Sequence, residues 1–202
     1  GRAIWVALDG EVIGGIVVQD VVRGAMANLA AALRDQGIER VIVATGDHEE
    51  SEAKRVAELI GADEYRFNYK PEDKAALVRR MQAQGKVAMV GDGVNDAPAL
   101  AAADVGIAIG GHRNVALAIA SSDIVILGDD ASDLLTVLKI SRKMVVIIRE
   151  NYAWAVSFNV VGLTLATLGF LNPVFAAFLH HISSVFVVAN AARLYVGRAL
   201  HT

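Results

Sequence analysis

The first 129 residues alternate short apolar runs with amphipathic segments, a pattern typical of strands followed by helices. Two apolar runs, Ile4–Leu8 and Val12–Val18, flank Asp9-Gly10, which predicts an opening β-hairpin because both turn residues tolerate positive φ. The later runs VIVA and VAMV are apolar without alternation, as expected where helices cover both faces of a parallel sheet. We therefore predict an α/β fold with a doubly wound parallel sheet over residues 1–129.

Residues 130–196 predict helices of a different kind. Residues 130–150 place apolar side chains on one side and Lys and Arg on the other, which predicts a connecting helix. Residues 151–179 carry no formal charge, and Asn172-Pro173 divides the apolar stretch into segments of about 20 residues, the length that crosses a bilayer as a helix. We predict two transmembrane helices within residues 151–196, over about 152–171 and 173–192.

Basic residues flank these two segments on the same side, namely Lys139, Arg142, Lys143, Arg149, Arg193 and Arg198. The positive-inside rule then places residues 1–150 and the tail at 197–202 in the cytoplasm. The alternative is a buried helical hairpin of a large soluble protein.

Composition narrows the function classes. The 202 residues are 54% apolar with a net charge of −3, which argues against a nucleic-acid binder of the usual basic kind. Because the sequence contains no cysteine, it has no thiolate metal site and no cysteine nucleophile. The opening residues lack the form of a signal peptide, and we expect the chain to be part of a longer protein.

Polar residues suited to phosphate chemistry follow the predicted strands, where ligands bind in such a sheet. They are Thr45, Gly46 and Asp47 after one strand, Lys74 on a later helix, and Asp92, Gly93, Asn95 and Asp96 after the strand Lys86–Gly91. Threonine and lysine suit a phosphoryl group, and paired aspartates suit Mg²⁺. Taken singly, each has a plain structural alternative: a helix cap, a solvated lysine or a turn.

The stretch GDGVNDAPAL at 91–100, with TGD at 45–47 and PEDK at 71–74, resembles the phosphorylation domain of P-type cation-transporting ATPases. The resemblance implies a haloacid-dehalogenase-like domain. It implies that Thr45 and Lys74 hold the transferred phosphoryl group beside Gly46 and Asp47. It also implies that Asp92 and Asp96 position Mg²⁺, with support from Gly93 and Asn95. A soluble phosphatase of the same superfamily is the alternative.

The family's nucleophile, the aspartate of a DKTGT motif, has no counterpart in this sequence. The resemblance therefore implies a C-terminal part of a transporter in a bacterial plasma membrane. Its partners would be the lipid bilayer, the nucleotide-binding domain that holds most of the ATP, the actuator domain and earlier transmembrane helices. We expect this chain alone to form no aspartyl phosphate.

The two predicted spans look like those of the heavy-metal-transporting branch. His180 and Ser184 are four residues apart and share a helix face, and His181 and Asn159 are further candidate ligands of the transported ion. Nitrogen and oxygen ligands favour a divalent transition metal over Cu(I). The alternative places the histidines at the membrane edge. We therefore predict an ATP-driven exporter of a divalent metal; the rival hypothesis is a non-catalytic membrane-anchored module.

Overall fold

The computed structural model describes residues 2–18, 27–110, 115–128 and 132–196, which form two compact units, Gly1–Leu135 and Thr136–Thr202. The strands are β1 (Arg2–Leu8), β2 (Glu11–Val18), β3 (Ile42–Ala44), β4 (Glu64–Arg66), β5 (Ala88–Gly91), β6 (Val105–Ile109) and β7 (Ile124–Ile126). The helices are α1 (Leu29–Asp35), α2 (Glu50–Ile60), α3 (Pro71–Gln82), α4 (Ala97–Ala102), α5 (Val115–Ser121), α6 (Ser132–Thr167) and α7 (Pro173–Val196). The alternation predicted from the apolar runs is confirmed. The predicted boundary at 129–130 and the tail at 197–202 lie outside the described residues.

The first unit opens with the predicted hairpin. Strands β1 and β2 pair antiparallel, and the turn between them places Asp9 and Gly10 at positive φ, as the dipeptide predicts. The hairpin leaves large apolar side chains in solvent, among them Trp5, which is 71% exposed. The remaining strands are parallel: β3 pairs with β4, and β6 lies between β5 and β7.

The same aspartate–backbone hydrogen-bonding pattern occurs at the start of three parallel strand pairs. Asp63, Asp104 and Asp123 each precede the second strand of a pair, and the carboxylate of each accepts a backbone N–H within one residue of the start of the first strand. The backbone N–H of each aspartate donates in return to that same residue's carbonyl. These reciprocal bonds satisfy backbone groups at the strand ends and set the parallel register.

A cavity of about 940 Å³ separates the two parallel sheets. It is lined by Ile42 and Ala44 of β3, by Ala88 and Met89 of β5, and by residues of α3. The predicted continuous sheet is thus present as two parallel sheets whose edge strands face a common space. Val90 in β5 is 38% exposed, although its apolar run predicts coverage on both faces.

The second unit contains most of α6, together with α7. These helices run antiparallel, since Trp154 stacks on Phe186 with ring centroids 4.2 Å apart and Glu150 pairs with Arg193. The chain reverses after Gly169, and the Asn172 side chain accepts the N–H of Val174 at the start of α7, as the Asn-Pro break predicts.

The two predicted transmembrane spans are not confirmed as spans. Within the described ranges, none of the helices combines the length and the apolar character that crossing a membrane requires.

Candidate functional site

Lys74 and Asp96 form a largely buried ion pair beside the cavity. Lys74 lies in the first turn of α3, and its Nζ donates to Oδ1 of Asp96 at 2.7 Å. Their side chains are 12% and 13% exposed. Asp96 is the residue before α4, where its carbonyl accepts the N–H groups of Ala99 and Leu100. The helix start thus fixes the carboxylate, and the carboxylate fixes the lysine ammonium.

Gly91 at the end of β5 makes room for this pair. A Cβ atom at position 91 would lie 2.5 Å from Oδ2 and 2.6 Å from Cβ of Asp96, closer than atoms can approach. Two residues later, Gly93 has φ +81, and a Cβ there would meet Ala118 at 3.0 Å. Gly91 therefore allows Asp96 to approach the backbone closely, and Gly93 allows the left-handed turn that follows Asp92.

Asp92 is held by the turn that follows β5. Its Oδ1 accepts the backbone N–H groups of Val94 and Asn95 at 3.0 and 3.1 Å, and its Oδ2 accepts Nδ2 of Asn95 at 3.2 Å. Three donors orient a solvent-exposed carboxylate at the carboxyl end of a parallel strand. Asn95 thus orients the Asp92 carboxylate through both its backbone and its side-chain N–H groups.

Thr45, Gly46 and Asp47 form a comparable turn after β3. The N–H of Asp47 donates to Oγ1 of Thr45 at 3.1 Å, which leaves the threonine hydroxyl hydrogen available to a ligand. The N–H of Tyr69 donates to the Thr45 carbonyl, and a Cβ at Gly46 would lie 3.3 Å from the Tyr69 carbonyl. The loop after β4 therefore packs against this turn and holds it in place.

The structure brings some predicted site residues together and leaves others apart. Lys74 contacts Asp96, and Asp92 contacts Asn95, whereas the Thr45 turn follows a strand of the other parallel sheet. In the part of the chain that is described, no cluster of three or more acidic or histidine side chains is placed to hold a metal ion. An exposed carboxylate such as that of Asp92 suits Mg²⁺, which binds one or two carboxylates and keeps several waters. Oδ1 of Asp96, the second predicted ligand, accepts the Lys74 ammonium.

The predicted ligands in the helical hairpin lie on exposed faces. His181 places Nδ1 2.8 Å from the Ala177 carbonyl of its own helix, and the Ser184 hydroxyl donates to the His180 carbonyl. Asn159 is exposed on α6. The described contacts do not join these four side chains into one ligand set.

The same hairpin holds a polar network that was not predicted from the sequence. Nδ2 of Asn190 donates to Glu150 and to Asn151, and Nη1 of Arg193 donates to Glu150 and to Asn190. The sequence offered one sign of this network: Asn190 and Arg193 are three residues apart and share a helix face. Their partners, Glu150 and Asn151, lie at the junction between the charged and uncharged parts of α6.

Comparison with known proteins defines the family. The haloacid dehalogenase-like hydrolase family matches residues 1–104. The zinc-exporting P-type ATPase of Mycobacterium marinum (strain ATCC BAA-535 / M) is 46% identical over 192 residues, 95% of this chain and 26% of the relative. The manganese-exporting P-type ATPase of Mycobacterium tuberculosis (strain ATCC 25618 / H37Rv) matches with the same identity and coverage. A probable copper-exporting P-type ATPase V of the same strain is 42% identical, over 95% of this chain and 24% of its own length.

A solved structure agrees with these relatives. The crystal structure of a zinc-transporting PIB-type ATPase in its E2.Pi state superposes with a TM-score of 0.80 at 31% identity, over 95% of this chain and 31% of that chain. The chain therefore spans about a quarter of the curated relatives it matches. The predicted resemblance to the heavy-metal-transporting P-type ATPases is confirmed, and with a family match over half of its length the chain belongs to the haloacid dehalogenase-like hydrolases.

Proposed function

We propose that this chain is the part of a heavy-metal-exporting P-type ATPase that receives the phosphoryl group of ATP and passes the resulting change to two membrane helices. One observation carries the proposal. A lysine fixed by a buried aspartate borders an open space between two parallel edge strands, and the adjacent strand ends carry Thr45 and Asp92. The relatives that match 95% of the chain are exporters of this kind.

The side chains divide the work as follows. The Thr45 hydroxyl and the Lys74 ammonium bind oxygens of the transferred phosphoryl group, and Asp96 acts by holding Lys74 in position. Asp92, oriented by Asn95 and the turn at Gly93, is the residue of this chain that would hold Mg²⁺. When bound, Mg²⁺ would offset the negative charge of the phosphate oxygens. ATP itself would be bound mainly by a domain outside this chain.

The cavity between the two parallel sheets has room for a further strand, which the rest of the transporter would supply. The edges of β3 and β5 that face it offer backbone N–H and C=O groups without strand partners among the described residues. A strand inserted there would join the two parallel sheets into one. Its carboxyl end would emerge beside Lys74, where the nucleophilic aspartate missing from this sequence is required.

The helical hairpin supports a location in a bacterial plasma membrane, with residues 1–150 and the C-terminus on the cytoplasmic side. Large apolar side chains cover its surface; Phe170 and Val174 are 78% and 76% exposed. Such a surface needs an apolar environment or partner helices. The earlier helices of the transporter and the lipid bilayer would provide both.

The cargo is a divalent transition metal, carried outward. His180, His181, Ser184 and Asn159 offer nitrogen and oxygen, and these ligands suit Zn²⁺ or Mn²⁺ better than Cu(I). Because the four side chains lie on exposed faces, the earlier helices of the transporter would complete the ligand set. The zinc and manganese exporters are more similar to this chain than the copper exporter is.

Phosphoenzyme formation in the full-length transporter tests the proposal. We expect an acid-stable, Mg²⁺-dependent phosphoenzyme that Asp92→Asn removes and Lys74→Ala weakens by about tenfold or more, because a charge on a transferring phosphoryl group contributes several kcal/mol. Glu58→Gln is the control, since Glu58 is an exposed residue paired only loosely with Lys54 at 3.9 Å. Full phosphorylation of Asp92→Asn would contradict the site. Phosphorylation of an aspartate in the 202-residue chain alone would contradict the proposal that the nucleophile lies elsewhere in the transporter.

The same transporter tests the cargo. Stimulation of ATP hydrolysis by Zn²⁺, Mn²⁺, Co²⁺ and Cu(I) should favour a divalent ion, and His180→Ala should lower the response without lowering Mg²⁺-dependent phosphorylation from inorganic phosphate. Strong Cu(I) stimulation that survives His180→Ala and His181→Ala would contradict the divalent cargo. It would favour the alternative in which both histidines lie at the membrane edge and bind no metal.

A further inference from the structure

The segment between β4 and α3, residues 67–70, contacts the Thr45 turn through its backbone. The N–H of Asn68 donates to the carbonyl of Asp47 at 2.7 Å. The N–H of Tyr69, the next residue, donates to the carbonyl of Thr45 at 3.0 Å. Two consecutive N–H groups of this segment, the 67–70 loop, therefore hold the turn that presents the Thr45 hydroxyl.

The 67–70 loop also fixes the start of α3, the helix that carries Lys74. Lys70 directly precedes this helix, and its N–H donates to Oδ2 of Asp73 at 3.0 Å. The carbonyl of Lys70 accepts the N–H of Lys74 at 3.1 Å. The loop is thus hydrogen-bonded at one end to the Thr45 turn and at the other end to the first turn of α3. The two groups proposed to bind phosphoryl oxygens therefore share one backbone support.

Asn68 adopts a backbone conformation that most side chains disfavour. Its φ is 56°, in the left-handed region, which asparagine tolerates and β-branched residues rarely adopt. The φ and ψ of Asn68 set the direction of the Tyr69 N–H relative to the Asn68 N–H, so this conformation decides whether both N–H groups reach the Thr45 turn. The Asn68 side chain is exposed. A substitution there therefore changes the preference of the backbone without opening a cavity.

We propose that Asn68 is a positioning residue for phosphoryl transfer. Its left-handed conformation holds the 67–70 loop in the shape that keeps the Thr45 hydroxyl and the Lys74 ammonium aligned on one phosphoryl group. This inference rests on the roles of Thr45 and Lys74 given under the proposed function. Alignment matters because a displacement of about 1 Å in a group that binds the reacting atoms can slow a reaction by about a hundredfold. Asn68 acts through the backbone and needs no contact of its own with the phosphoryl group.

Asn28 provides a matched control for the test. It is also an exposed asparagine at positive φ, 58°, and its N–H also donates to a distant carbonyl, that of Leu59 in α2, at 2.9 Å. Any strain common to the two positions should therefore appear in both valine variants.

The rate of phosphoenzyme formation from ATP in the full-length transporter measures the effect. Asn68→Val should lower this rate by about tenfold to a hundredfold, and Asn28→Val should leave it close to that of the wild type. Asn68→Gly should keep the wild-type rate, because glycine adopts positive φ freely. Asn68→Ala should lie between the glycine and valine variants, so the order stays measurable if Asn68→Val does not fold.

Amide hydrogen exchange in the same transporter without nucleotide gives a second readout. A left-handed valine should raise exchange by about 5- to 30-fold wherever the strain is released. Loss of overall stability is common to both valine variants and is read from β6. An excess over that value in the peptide 43–48 is expected for Asn68→Val alone.

The outcomes separate this inference from the function on which it rests. Equal phosphorylation rates in Asn68→Val and Asn28→Val would overturn the positioning role. A loss in Asn68→Gly as large as that in Asn68→Val would also overturn it, because the side chain and not the backbone would then be required. A wild-type transporter that forms no phosphoenzyme would contradict the proposed function. Absence of the excess exchange would contradict the coupling of the loop to the Thr45 turn, whatever the phosphorylation result.

Discussion

Replacing Lys74 with methionine removes the partner of a carboxylate that water scarcely reaches. The Nζ of Lys74 lies 2.7 Å from Oδ1 of Asp96, and the two side chains are 12% and 13% exposed. Methionine keeps the unbranched stem of lysine, so the change isolates the charge. Removing one partner of a buried ion pair costs about 3–5 kcal/mol, and we expect Lys74→Met to lie near the lower value because some solvent contact remains.

Lys86 provides a matched control for this prediction. Its Nζ lies 2.7 Å from Oδ1 of Asp104, the same distance between the same atom types, but the lysine side chain is 91% exposed. Solvent reaches the Lys86 ammonium freely, so Lys86→Met should destabilise the unit less than Lys74→Met does. The comparison therefore separates burial from distance as the source of the effect.

Amide hydrogen exchange on peptides that cover β6 reports the opening of the first unit without interference from the long helices. The double variant Lys74→Met/Asp96→Asn should be less destabilised than Lys74→Met, since it no longer buries an unpaired charge. Equal effects of Lys74→Met and Lys86→Met would refute the reasoning. So would a double variant as unstable as the sum of the two single variants.

Two further predictions concern the same unit. Gly91→Ala should destabilise the first unit by about 1–3 kcal/mol because the new Cβ overlaps Asp96. Gly85→Ala should be tolerated, because nothing lies within 4 Å of its added Cβ, and amide hydrogen exchange in β6 distinguishes the two variants. The pKa of Asp104 is lowered from 3.8 to about 2, first by its bond from Lys86 and then by the N–H of Val87 and by Gln82. The stabilisation that the ionised Asp104 carboxylate provides is therefore present above pH 3.8 and is lost as the pH falls towards 2. Asp104→Asn should reduce the pH dependence of stability over that interval, and an unchanged acid-unfolding profile would contradict this.

The order of strands and helices could be predicted because each element shows its own period of apolar residues. The positions of Thr45 and Asp92 directly after strands could also be predicted, because each follows an apolar run of strand length. The gap between β3 and β5 could not be predicted from these runs. An apolar run such as VAMV shows that a strand is suited to burial, but it does not show whether its neighbour belongs to the same stretch of chain.

The part played by Asp96 shows where spacing stops being informative. In the sequence, Asp92 and Asp96 look equivalent, two carboxylates four residues apart that together suit Mg²⁺. In the structure, Asp92 faces solvent with three donors from its own turn, while Asp96 directly precedes α4 and binds Lys74 across 22 positions of sequence. The glycine at position 91 decides between these environments, because its missing side chain is the space that the Asp96 carboxylate occupies. Two identical side chains thus acquire different surroundings: the Asp92 carboxylate is exposed to solvent, and the Asp96 carboxylate is buried against the Lys74 ammonium.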